Sequence, residues 1–158
     1  AGNMYTGNYL RTEGTNGVLN FGKQFTQRPT RLKGYFKYTS VEINKSNDEM
    51  KYLIGQPDTC QIFIALGDWS EPVEIRTKPS DRKLFDKNDP HIIAYADMYS
   101  GKSVTEYTPF TLELEYRDTD RIPTYIVVVA SASKYGDYFT GGDGSVLFLD
   151  DFTLEYDY

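Results

Sequence analysis

The sequence predicts an all-β protein, an antiparallel jelly-roll β-sandwich with at most one short helix, and three observations predict it. Tyr, Phe and Trp make up 15% of the 158 residues, beside many Thr, Val and Ile, which is the composition of pleated, half-buried surfaces. Residues 107–117, YTPFTLELEYR, alternate Phe110, Leu112, Leu114 and Tyr116 with Thr111, Glu113, Glu115 and Arg117, the period of a strand with one wet face. Polar turns rich in Pro, Gly and Asp recur at close intervals and leave no room for crossover helices, so the strands pair antiparallel. Irregular loop lengths argue against an up-and-down barrel.

The elements follow in chain order. A weak strand lies near 5–11, then strands are expected at 18–25 (VLNFGKQF) and 32–43. SNDEMKYLIG, residues 46–55, carries the one helical signal, with Ser46 and Glu49 at capping-box spacing and Gly55 placed to close two turns. Strands at 61–67 (QIFIALG) and 73–77 precede a long mixed-charge loop, 77–90, expected to run over the sandwich surface. After strands at 91–97 and 107–117, PTYIVVVASA at 123–132 is a continuous apolar run, so it reads as a central strand covered on both faces. Pro123 opens that run, where a missing N–H is tolerated. TGGDGS is a turn whose glycines give backbone freedom, and it feeds the closing strand, 145–156. Nothing divides the chain, so residues 1–158 read as one domain.

Composition excludes several classes of function. The net charge of −6 and the lack of Lys/Arg clusters disfavour nucleic acid as a partner. No apolar run reaches the length of a transmembrane segment. Cys60 is the single cysteine and reads as a small core residue. His91 is the single histidine, at a strand entrance after Pro90, with no ligand or triad spacing around it. GGDG at 141–144 lacks the Lys-Ser/Thr of a P-loop.

Asp150 stands out among the acids. Val146, Phe148, Phe152, Leu154 and Tyr156 share its parity, so an unbroken pleat points Asp150 into the core. Three readings stay open: a β-bulge that frees it to solvent, a buried carboxylate satisfied by backbone N–H groups, or a Ca²⁺ ligand.

RPTRLKGYFKY (28–38), CQIFIALGDW (60–69), YTPFTLELEYRD (107–118), PTYIVVVASASKYGDYFTGG (123–142) and GSVLFLDDFTLEYD (144–157) occur in this order. Together they resemble the bacterial putative carbohydrate metabolism domain, whose members look like C-terminal β-sandwich modules of secreted or lipoprotein-anchored proteins of gut Bacteroidetes. The resemblance covers nearly the whole chain from about residue 20. The ending VLFLDDFTLEY is also similar to the last strand of galactose-binding-like jelly rolls, which include carbohydrate-binding modules. There an Asp at the start of the strand often helps hold a structural Ca²⁺, and Asp150 matches that position. The N-terminal acidic ligands of those modules have no counterpart, since Glu13 is the only acid in the first 40 residues.

The resemblance implies an extracytoplasmic module, secreted or on the outer-membrane surface, tethered to an N-terminal domain and partnered by a glycan or polysaccharide. Sugars stack their C–H faces on exposed rings while polar groups take the hydroxyls. The candidates are Trp69, in a Gly-Asp-Trp-Ser turn expected to be exposed, Tyr99, and the Tyr135/Tyr138 pair. Three readings of function follow: a non-catalytic glycan-binding module, a structural or adhesive surface domain without a small ligand, and a glycoside hydrolase using an acid pair.

Overall fold

The computed structural model describes residues 2–157, and its strands form three antiparallel sheets. In chain order they are β1 Asn3–Tyr5, β2 Gly7–Glu13, β3 Asn16–Phe21, β4 Lys23–Gln24, β5 Arg31–Thr39, β6 Cys60–Gly67, β7 Val73–Arg76, β8 Ile92–Ser100, β9 Val104–Glu113, β10 Glu115–Tyr116, β11 Tyr125–Ser131 and β12 Val146–Glu155. The large sheet runs β1-β11-β6-β8-β10, with β4 continuing the β1 edge of β11. A small sheet, β12-β5-β9, packs on one of its faces, and β2-β3-β7 packs on the other.

This layering explains the two continuous apolar runs. In β6 and β11, Ile62, Ile64, Leu66, Ile126, Val128 and Ala130 meet Leu32, Phe36, Phe110 and Leu112 of the small sheet. The alternate residues Phe63, Ala65, Val127 and Val129 meet Phe21 and Ile75 of the third sheet. A strand buried on both faces needs apolar residues at both parities. Cys60 lies in the first core with no exposed surface, and burial pushes its thiol up to about 11.

Within the small sheet Gly34 is required by packing. A Cβ there would lie 2.7 Å from Phe152 and 2.8 Å from Phe110, whose rings meet edge to face with centroids 5.2 Å apart.

The helical signal is realised as a 3₁₀ helix, Asp48–Leu53, capped one residue later than expected: Met50 N–H donates to Asn47 Oδ1 at 2.9 Å. Asn47 therefore does the work assigned to Ser46. Gly55 takes a left-handed φ of 89°, which fits the closing role.

β12 corrects the placement of Asp150. Its register with β5 runs from Val146↔Thr39 to Asp150↔Tyr35 and resumes only at Thr153↔Lys33. Asp151 has a φ of 54°, so a bulge absorbs one residue and reverses the parity of the strand. Leu147 and Leu149 face the core before the bulge, and Phe152 and Leu154 face it afterwards. Val146, Phe148 and Asp150 are exposed on the outer face. Of the three readings of Asp150, the structure shows the bulge that frees it to solvent.

Candidate functional site

Beneath the third sheet the outer face of the large sheet is apolar. Beyond that cover its alternation turns polar. Register places Tyr99 of β8 opposite Gln61 of β6, Gln61 opposite Ser131 of β11, and Ser131 opposite Asn3 of β1. These four side chains form one cross-strand row, about 14 Å long at the usual inter-strand spacing. Two loops rise beside it: residues 84–88, and the 3₁₀ turn Gly136–Tyr138 with Lys134 before it. The row and the loops enclose a groove of about 390 Å³, within the range of small-ligand sites.

The second loop is held from below by Asp58, which is 1% exposed. Asp58 Oδ2 accepts hydrogen bonds from Ser133 Oγ at 2.6 Å and Gly142 N at 2.8 Å, and Oδ1 accepts one from Thr59 N at 2.9 Å. Gly141 exchanges backbone hydrogen bonds with Lys45. A Cβ at Gly141 would lie 2.7 Å from Ser133 Oγ, so the loop sits against its anchor too closely for a side chain.

Rings, cations and polar groups alternate around the groove. Lys134 Nζ lies 4.4 Å from the centroid of Tyr99 and 5.1 Å from that of Tyr135. Arg82 stacks at 4.3 Å on Tyr138 and donates to Glu49 Oε2 at 3.0 Å. Gln61 Nε2 donates to Tyr99 Oη at 3.3 Å, and Tyr95 Oη donates to Asp97 Oδ2 at 3.1 Å. Burial, then the Asp97 charge, raises the hydroxyls of Tyr95 and Tyr99 above the usual phenol range, so both remain donors. Asp137 lines the groove as well, and burial raises its carboxyl despite the opposing Arg82 charge.

Tyr99 and Tyr138 thus line the groove, Lys134 links the rings of Tyr99 and Tyr135, and Trp69 lies elsewhere. Trp69 is 7% exposed. Its ring meets Phe85 edge to face at 6.0 Å and its Nε1 donates to Asp89 Oδ2 at 3.0 Å. The 77–90 loop covers it, so its faces are not open to a ligand. Asp150 lies on the outer face of the small sheet, on the far side of the sandwich from the groove. Among the described residues no three His, Cys, Asp or Glu side chains gather as a metal cluster. Asp150 is exposed and belongs to no such cluster.

Gln61, Tyr95, Lys134 and Asp137 complete the groove, with Asp97 holding the Tyr95 hydroxyl, without having been singled out in the sequence. A signal existed in IIAYADMYS, where Tyr95, Asp97 and Tyr99 alternate at strand period, the mark of one polar face on a buried strand. His91 forms a different contact, its Nδ1 2.8 Å from Asp68 Oδ1, while Arg121 donates to Asp68 Oδ2 at 3.0 Å. This pair ties the 68–69 turn to neighbouring loops.

With this geometry in place, comparison with known proteins decides the family. The family model described as "Putative carbohydrate metabolism domain" matches residues 1–155. The chain belongs to this family. The carbohydrate metabolism domain has solved structures of similar fold in two Bacteroides species. One, from Bacteroides thetaiotaomicron and described as a putative glycoside hydrolase, superposes with a TM-score of 0.69 at 22% identity, covering 90% of this chain and 47% of that one. Another of the same description, from Bacteroides vulgatus, gives 0.66 at 21%, covering 89% of this chain and 63% of that one. At these identities the likeness is one of fold. The domain spans about half to two thirds of their length. No curated protein matches the chain. Among its described residues no helix is long and apolar enough to cross a membrane.

Proposed function

We propose that this carbohydrate metabolism domain is a non-catalytic glycan-binding module whose ligand lies in the groove over Tyr99, Gln61, Ser131 and Asn3. The observation that carries this reading is that Tyr99 of β8 and Tyr138 of the 136–138 turn, distant in sequence, line one concave surface, with Lys134 bridging the rings of Tyr99 and Tyr135. Rings edged by amides, hydroxyls and charged groups suit an amphipathic sugar, which offers a C–H face and a rim of hydroxyls. The module acts outside the cytoplasm, on a secreted or surface-tethered protein, alongside a further domain. In affinity electrophoresis through soluble plant and host polysaccharides, at least one gel retards the protein, and Tyr99→Ala or Gln61→Ala abolishes the retardation. Unchanged retardation in both variants would place the ligand elsewhere.

A hydrolytic reading draws support from Asp137, a carboxylate on the groove wall whose carboxyl is raised by burial. It requires a second carboxylate across the groove, about 5 to 10 Å away. Release of reducing ends by the native protein and not by Asp137→Asn would favour it over binding alone.

A further inference from the structure

The groove does not end at Asp137. Asn3, Ser133 and Asp137 also line a second hollow, of about 630 Å³, whose walls include Lys45 and Phe139. Phe139 is out of place there on two independent counts. Its ring is 48% exposed, although burial is what stabilises a phenyl group in water. Its backbone is left-handed, with φ 54° and ψ 31°, a conformation that strains a bulky residue and that helix ends usually give to glycine. This segment is rich in glycine, yet the residue closing the 136–138 turn carries a ring. Neither packing nor backbone preference accounts for it, and a strained, exposed side chain on a cavity wall points to use by a ligand.

We propose that Phe139 is the stacking platform of a second sugar subsite, and that the ligand is a linear oligosaccharide long enough to lie against Tyr99 and Phe139 at once. This inference rests on the glycan-binding reading of the first groove. The cross-strand row alone covers about 14 Å, and Asn3, Ser133 and Asp137 border both hollows. A chain following the row therefore passes over Asp137 and enters the hollow beside Phe139. Burial raises the Asp137 carboxyl against the opposing Arg82 charge, and its oxygens at that junction can accept from sugar hydroxyls.

The test is titration calorimetry of the full chain with cello-, xylo-, manno- and galacturono-oligosaccharides, from disaccharide to hexasaccharide. In the ladder that binds, the hexasaccharide is expected to bind about tenfold or more tighter than the disaccharide, a step of about 1.4 kcal/mol. Phe139→Ala and Phe139→Gly remove that gain and leave disaccharide affinity unchanged. Phe139→Gly also melts no lower than the native protein, because glycine relieves the left-handed backbone and offsets the loss of a half-exposed ring. Equal affinity for short and long chains, or a gain that survives both substitutions, overturns the second subsite and leaves the first groove standing. A markedly lower melting temperature in Phe139→Gly shows a structural role and overturns it too. Failure of every ladder at every length removes the glycan reading of the first groove, and the second subsite with it.

Discussion

Asp58 Oδ2 and Ser133 Oγ stand 2.6 Å apart in a buried hydrogen bond that joins positions 75 residues apart in sequence. The same oxygen receives Gly142 N–H, so one carboxylate fixes both flanks of the turn that forms a wall of the groove. Asp58→Ala leaves those donors buried and unmatched, at a cost of about 1–3 kcal/mol each. Chemical denaturation is expected to show a loss of about 3 kcal/mol. Amide exchange should accelerate across 133–145 more than in β6. A uniform change in exchange would mean the carboxylate supports the whole fold and not this turn.

Trp69 is a core residue, and its substitution should act through stability. Trp69→Ala costs about 3–5 kcal/mol, read from the denaturation midpoint. Trp69→Phe keeps most of the packing, losing the hydrogen bond to Asp89, and binds any groove ligand as the native protein does. Lost binding in a fully folded Trp69→Phe variant would return the ring to the site.

Asp150 is exposed just before the bulge, so Asp150→Asn is expected to stay within about 0.5 kcal/mol of the native protein. The melting curve in excess Ca²⁺ should overlay the curve in chelator. A Ca²⁺-dependent rise that Asp150→Asn abolishes would restore a metal role.

Acid should loosen the His91–Asp68–Arg121 tie. Burial works against the Asp68 charge, but hydrogen bonds from His91 and Arg121 hold its carboxyl below the usual range. A folded-state pKa below the unfolded value of about 3.9 gives stability that is complete above that value and is lost as pH falls through the folded pKa. Stability measured below about pH 4 should therefore fall less steeply in Asp68→Asn. The difference is about 1 kcal/mol or less, since the pair is partly exposed. Identical acid limbs would show the tie contributes nothing.

How much of this was legible depended on whether neighbours in space altered the local pattern. The alternation through 107–117 was readable although the chain changes sheets within it. β9 ends at Glu113 and β10 begins at Glu115 in the large sheet, yet Phe110, Leu112 and Leu114 keep facing the same core. Both sheets look onto that core, so the period survives the switch. Just after Asp150 a single left-handed residue, Asp151, reversed the parity, and Asp tolerates that conformation without leaving a mark on hydropathy. Trp69 was misplaced because its cover comes from residues 84 and 85, in a loop that reads as polar. Tyr99, Tyr135 and Tyr138 were singled out by residue type, while the row that holds Tyr99 needed the register of four strands.

That row has a consequence for how the protein comes together. Its members are residues 3, 61, 99 and 131, so no excised piece of the chain holds the floor of the groove, and a nascent chain lacks it until β11 has emerged. Asn3 belongs to a three-residue strand at the rim of the large sheet, where pairing is most easily undone. Competence at the groove is therefore a late event in folding and an early casualty of fraying. It would report the closure of the whole β architecture more sensitively than its overall secondary structure content does.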